Sequence, residues 1–173
     1  RPDGPRTSDA VGQVIDGLAR DAAERKIELR LAGAPADSAA GGAGAITLTT
    51  DPDRLRQILS NLVQNALTQT ALGGKVTISA RVAEGDAIAG AASRKIEIEV
   101  ADDGAGIDPA GLPYIFDRFY RARKGAHGAG LGLGLSISRD LARAMGGDIS
   151  VVSEAGKGSR FTVSLPSQSQ ANF

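Results

Sequence analysis

The chain has 173 residues, with 20 Lys plus Arg against 20 Asp plus Glu, no Cys, no Trp and a single His. That length suits one domain with a sizeable core. The zero net charge argues against a generic nucleic-acid binder, which usually carries a basic excess, and the absence of Cys excludes disulfides, thiolate metal sites and a thiol nucleophile. The lone His127 excludes a histidine-rich zinc site, and no run approaches the ~20 apolar residues needed to cross a bilayer.

In chain order, residues 1–7 (RPDGPRT) read as a linker or cut end, because Pro2, Gly4 and Pro5 oppose regular structure. Ser8 is placed to cap a helix whose apolar residues Val11, Ile15, Leu18 and Ala22 recur at spacings of three and four. KIELRL alternates Ile27, Leu29 and Leu31 with polar residues and predicts a strand. Residues 32–45 are small and of low complexity, a loop, and ITLT after them is a short strand. Asp51 is an N-cap for a second helix with a core stripe of Leu55, Ile58, Leu59, Leu62 and Ala66. KVTISARV and KIEIEV alternate strictly and predict two half-buried strands joined by a polar loop at 84–94. Residues 108–130 are irregular. Leu131 to Met145 has a helical pattern that stops at Gly146-Gly147. DISVVS and SRFTVSLP close the domain as a hairpin around EAGKG, and residues 167–173 form a loose tail. Antiparallel hairpins with helices between them predict an α+β two-layer sandwich, helices covering one face of a mixed sheet.

Four features carry chemistry. GAHGAGLGLGLSI, residues 125–137, places glycines just before a helix, where they cost stability unless a side chain would block something. It does not fit the dinucleotide fingerprint, since Leu133 or Leu135 stands where the third glycine belongs, and Gly156-Lys157-Gly158 breaks the P-loop pattern. Asn61 and Asn65 lie four apart on the second helix, beside its apolar stripe. They are either solvated amides or neutral oxygen ligands able to complete the shell of a phosphate-bound Mg²⁺. DDGAGI, residues 102–107, follows a strand directly and puts a carboxylate at the sheet rim. Such an acceptor suits the exocyclic amine of adenine, although Asp and Gly also serve plain turns. Ser159 follows a glycine turn and opens the last strand.

Together and in this order, these segments resemble the catalytic and ATP-binding domain of bacterial two-component sensor histidine kinases, within the GHKL superfamily. DPDRLRQILSNLVQNAL looks like its asparagine box, VADDGAGI like the first glycine box, and IFDRFYRA like the phenylalanine box. GLGLGLSI looks like the second glycine box and GKGSRFTVSLP like the closing one. The resemblance spans residues 8–166 as one kinase catalytic domain.

It implies a Bergerat fold: a five-stranded mixed sheet with three helices on one face, and a glycine-rich ATP lid. It implies Asn65 as the Mg²⁺ ligand, with Asn61 its neighbour at the phosphates. Asp102 would bind the adenine amine, with Gly106 letting the ring approach, Gly104 and Ile107 beside it, and Ser159 supporting Asp102. Gly130, Leu131, Gly132, Leu133 and Gly134 would bring the lid backbone and a helix N-terminus to the phosphates. Arg118, Arg121, Arg123 and Lys124 are lid cations open to a role at the γ-phosphate or to plain solvation. Phe116 and Phe119 are open to packing the hinge or meeting a partner helix, and residues 120–130 are expected to order around the γ-phosphate. Two positions depart from the family pattern: Thr68 and Gln69 stand where a cation and a ring are usual.

The implied reaction moves the γ-phosphoryl group of Mg·ATP to a histidine on a separate dimerisation domain of the same kinase, upstream of a response regulator. His127 lies among glycines with no acceptor motif, so the chain is not expected to phosphorylate itself. The fragment is expected to be soluble, cytoplasmic and monomeric, and the sequence leaves open whether its parent is a membrane-bound homodimer. Two other readings stay open. A hydrolysing GHKL ATPase carries a Glu base at the position of Asn61, and an amide cannot take a proton from water near neutral pH. A non-catalytic nucleotide-sensing module is compatible with Thr68 and Gln69.

Overall fold

The computed structural model describes residues 7–32, 51–84, 94–121 and 132–167. The elements follow the order α1 (Thr7–Glu24), β1 (Glu28–Ala32), α2 (Pro52–Gln69), β2 (Lys75–Glu84), β3 (Arg94–Asp102), a 3₁₀ turn at Leu112–Tyr114, α3 (Gly134–Ala144), β4 (Asp148–Glu154) and β5 (Gly158–Ser167). The five strands form one sheet in the order β1-β2-β3-β5-β4. β1 runs parallel to β2 and every other neighbouring pair is antiparallel. This is the expected two-layer arrangement of five strands and three helices.

Strict alternation makes one face of that sheet apolar. Ile96, Ile98 and Val100 of β3 stand beside Leu165, Val163 and Phe161 of β5, and all six are buried. Their intervening neighbours Lys95, Glu97, Glu99, Arg160 and Thr162 lie on the opposite face, where Glu97 pairs with Lys95 and Arg81, and Glu99 with Arg160. The apolar face is covered chiefly by α2, whose buried Leu55, Ile58, Leu59, Leu62, Val63, Ala66 and Leu67 span more than two turns. Burying a side chain of this class contributes about 1.5–3 kcal/mol. Asp51 caps α2 as expected, its carboxylate accepting from the Asp53 and Arg54 N–H groups at 3.0 and 3.2 Å.

Several boundaries differ from the sequence expectation. α1 begins at Thr7, which puts Ser8 inside the first turn rather than at its cap. α3 begins at Gly134, three residues after the start of its apolar pattern, because Gly132 has φ +73°, outside helical space. β5 continues to Ser167 through its pairing with Arg94. The ITLT strand, the centre of the 84–94 loop and residues 122–131 lie outside the described residues. No helix among the described residues is long and apolar enough to cross a membrane.

α3 is fixed to the sheet edge by charge. Asp148 receives Arg139 Nε at 2.9 Å, Arg143 Nε at 3.3 Å and the Ile149 N–H at 2.8 Å. Arg139 also lies 4.6 Å over the Phe116 ring, which meets Phe161 edge-on. The Arg139 hydrogen bond is the main reason the Asp148 pKa is lowered to about 2. A depressed carboxylate pKa adds stability above its unfolded value, and the gain disappears as pH falls through the folded one. Asp148→Asn should therefore cost about 1 kcal/mol at neutral pH, discounted because the pair is half exposed. Urea unfolding of both proteins should show this gap closing as pH falls from 4 to 2.

Candidate nucleotide site

The alternation that builds the core also places the most unusual side chain. Asp102 follows Ile96, Ile98 and Val100 in phase, so its carboxylate points into the helix-covered layer and is only 9% exposed. One oxygen accepts the Gly104 N–H at 2.9 Å, while Oδ2 is buried with no hydrogen-bond partner among the described residues. Burial raises the Asp102 pKa, aided by the charge of Asp103 and opposed by the backbone N–H groups of Gly104 and Ser159. A buried acceptor without a donor is costly, so this oxygen calls for a partner such as a water, an ion or a ligand.

Asp103 does the turn work that the DDGAGI segment also suggested. Its Oδ1 accepts the Lys75 N–H at 2.9 Å, which closes the rim of β2 and β3. The next residues are tied on two sides. The Ala105 N–H donates to the Gln69 carbonyl at 3.3 Å, and the Ala105 carbonyl accepts the Gly156 N–H at 2.7 Å. Ile107, half-buried, donates its N–H to Ser153 Oγ at 2.8 Å. A methyl group on Gly104 would collide with the Gln69 carbonyl and Asp102 Oδ1, so Gly104 lets the loop turn against the end of α2.

Gly106 packs against protein backbone. Its φ is +69°, and a methyl group there would strike the Glu154 carbonyl of the β4–β5 hairpin. Its missing side chain is accounted for by protein backbone. Ser159 is 8% exposed and pairs across the sheet with Asp102, yet its hydroxyl bonds Ser153 Oγ at 2.8 Å. Ser153 was not singled out in the sequence. An isolated serine before a turn carries no signal there, and only strand register reveals its neighbours.

The two asparagines lie where α2 meets α3. Asn61 Nδ2 donates to Ser138 Oγ at 3.1 Å and approaches the Gly134 carbonyl at 3.4 Å. Ser138, fully buried, donates to the same carbonyl at 2.7 Å. Asn61 thus anchors the first turn of α3 and keeps its own Oδ1 as a spare acceptor. Asn65, one turn further along α2, is half-buried and makes no side-chain hydrogen bond among the described residues. Leu133 occupies the N-cap of α3 and makes no side-chain cap, so among the described residues its side chain leaves the first-turn N–H groups available. Among the described residues, a methyl group on Gly134 would meet nothing within 4 Å.

Gly132 packs against the Phe119–Tyr120 backbone, and its carbonyl accepts the Phe119 N–H at 3.0 Å. With φ +73°, a side chain there would be strained and would collide with that backbone. Phe116 is packed in the core edge, whereas Phe119 is 69% exposed. Arg118 pairs with Asp140 at 3.2 Å, and Arg121 is exposed. Thr68 spends its hydroxyl on the Gln64 carbonyl. Lys124, Gly130, Leu131, Arg123 and His127 lie outside the described residues, as does most of the expected lid.

A family model described as histidine kinase-, DNA gyrase B- and HSP90-like ATPase matches residues 50–169. Among curated proteins, the aerobic respiration control sensor protein ArcB of Escherichia coli (strain K12) is 45% identical over 126 residues, covering 70% of this chain and 15% of its own. The sensor histidine kinase CusS of the same organism is 33% identical over 161 residues, 92% of this chain and 29% of its own. The chain thus spans less than a third of these relatives. Among solved structures, the mycobacterial sensor histidine kinase MprB superimposes with a TM-score of 0.70 at 21% identity, over 93% of this chain and 95% of that one, a likeness of fold alone. Full-length ShkA, solved in complex with AMPPNP, gives 0.69 at 32% identity over 94% of this chain and 30% of that one.

The raised Asp102 pKa has a direct consequence for stability. A carboxyl whose pKa is raised on folding destabilises the fold above that pKa, and the penalty vanishes as pH falls toward the unfolded value. Asp102→Asn should therefore melt at or above the parent temperature at pH 7. Melting curves across acidic pH should show the two proteins converging.

Proposed function

Because the chain belongs to the histidine kinase-, DNA gyrase B- and HSP90-like ATPase family, we propose that it binds Mg·ATP and donates the γ-phosphoryl group to a histidine of a partner domain in a two-component sensor kinase. The observation that carries this reading is the buried, unpartnered Oδ2 of Asp102. An ionised carboxylate only accepts hydrogen bonds, so it matches the adenine amine and opposes the guanine carbonyl. The uncapped N-terminus of α3 lies at the Asn61 end of α2, and the Asp102 loop lies at its Gln69 end. Eight residues of helix separate Asn61 from Gln69, about 12 Å, a span comparable with the reach from a purine to its terminal phosphates.

In this reading Asp102 holds the base, the first turn of α3 receives phosphate oxygens on its N–H groups, and Asn65 offers Oδ1 to the metal. Mg²⁺ would neutralise phosphate charge. The uncommitted amide of Asn65 fits that neutral-ligand role. Asn61 positions α3 through Ser138. An amide in that place cannot act as a base toward water, which favours transfer over hydrolysis. The chain positions and neutralises, and the nucleophile comes from the partner. The partner is the histidine-bearing dimerisation domain, with a response regulator downstream and a cytoplasmic setting.

Calorimetry with Mg·ATP and Mg·GTP tests base recognition. ATP should bind at least about tenfold more tightly, the size of one buried hydrogen-bond mismatch. Asn65→Ala should weaken Mg·ATP binding without lowering the apo melting temperature, since alanine favours the helix. Transfer of label from γ-³²P-ATP to an added acceptor domain tests the reaction. Equal affinity for the two nucleotides overturns the site assignment, and binding without transfer leaves a nucleotide-sensing module.

A further inference from the structure

Ser138 is the most deeply buried polar side chain among the described residues. It lies inside α3, one turn after Gly134 and one turn before Ala142, which is equally buried. Packing alone is served at such a position by alanine, as at Ala142, and alanine is the better helix former. A serine that bonds back to the carbonyl four residues earlier slightly destabilises and bends a helix. The Ser138 hydroxyl therefore needs a use beyond filling space, and its contacts supply one. A carbonyl only accepts, so at 2.7 Å the hydroxyl gives its proton to Gly134, while at 3.1 Å its oxygen accepts Asn61 Nδ2. The same amide nitrogen stands 3.4 Å from the Gly134 carbonyl. Amide, hydroxyl and carbonyl close a triangle between α2 and the first turn of α3. That turn opens with N–H groups that the helix itself cannot use. Its first backbone bond runs from the Ile137 N–H to the Leu133 carbonyl at 2.9 Å, and the N–H groups of Gly134, Leu135 and Ser136 come before it.

We propose that Ser138 is a positioning residue for the phosphates: through Asn61, its hydroxyl sets the open first turn of α3 at a fixed distance from α2, the helix that carries Asn65. This rests on the reading that those N–H groups receive phosphate oxygens and that Asn65 meets the metal. A phosphate chain held by two helices binds more tightly when their separation is set beforehand, because ordering them no longer opposes binding. Without the hydroxyl, the Asn61 amide keeps a single carbonyl at 3.4 Å, near the limit of a hydrogen bond. The helices are then registered by apolar packing alone. The Asp102 loop is tied instead to the Gln69 carbonyl, about two turns further along α2, and does not depend on this contact.

Ser138→Ala should fold with a melting temperature close to the parent's, since alanine suits a buried helix position. NMR titration with adenosine, beside calorimetry with Mg·ADP and Mg·ATP, then separates base from phosphate. Adenosine should bind the variant as it binds the parent. Mg·ADP and Mg·ATP should bind roughly five- to tenfold more weakly, the worth of one hydrogen bond. Ser138→Cys, whose thiol is a weaker hydrogen-bond partner, should fall between alanine and serine. The loss should also run through Asn61: on an Asn61→Ala background, Ser138→Ala should weaken Mg·ADP binding little further. Equal weakening of adenosine and the nucleotides, or a variant that does not fold, assigns the hydroxyl a merely structural role and overturns the proposal. Unchanged affinity for Mg·ADP and Mg·ATP, or full additivity with Asn61→Ala, overturns it as well. A parent protein that takes no adenosine, or gains no affinity from the phosphates, overturns the underlying nucleotide reading instead.

Discussion

The constraint on which this site depends is the phase of β3. Side chains alternate strictly along a strand, so Ile96, Ile98 and Val100 commit Asp102 to the apolar layer beneath the helices. A carboxylate there loses most of its water, and the Gly104 N–H satisfies one oxygen only. The fold carries a partly unsatisfied carboxylate at the end of an apolar row, where burial raises its pKa.

Around that carboxylate, the chain uses backbone to fix the neighbouring loop. The 103–107 loop is held by Lys75, by the end of α2 and by the β4–β5 hairpin at once. Its glycines let those backbones approach. At the other end of α2, Asn61 and Ser138 converge on the Gly134 carbonyl and fix the first turn of α3. The Asp148 pairs with Arg139 and Arg143 hold the rest of that helix to the sheet edge. The Asp102 loop and the first turn of α3 are thereby both tied to α2, whose buried stripe is the centre of the core.

The glycines illustrate how sequence and structure divide the explanation. Gly104, Gly106 and Gly132 look alike in the sequence as residues that make room. Gly106 makes room for the Glu154 carbonyl and Gly132 for the Phe119–Tyr120 backbone. Gly134, at the start of α3, meets nothing within 4 Å among the described residues. A glycine reports that a side chain would not fit, and the identity of the intruder depends on which segments pack there.

The sequence by itself determined the period-two strands, the α2 stripe with its Asp51 cap, the closing hairpin, and the order of motifs that marks the family. Each of these is a local pattern or a fixed spacing, written in residues that are near neighbours in the chain. It also marked Asn61, Asn65 and Asp102, because an amide beside an apolar stripe and an acid ending a strand are locally out of place. Only the tertiary structure decided what those residues touch. Asn61 reaches Ser138 across 77 positions, and Ile107 reaches Ser153 across 46. Ser153 and Ser159 join Asp102 through the register of three strands, and no local pattern encodes a register that forms only when the sheet assembles.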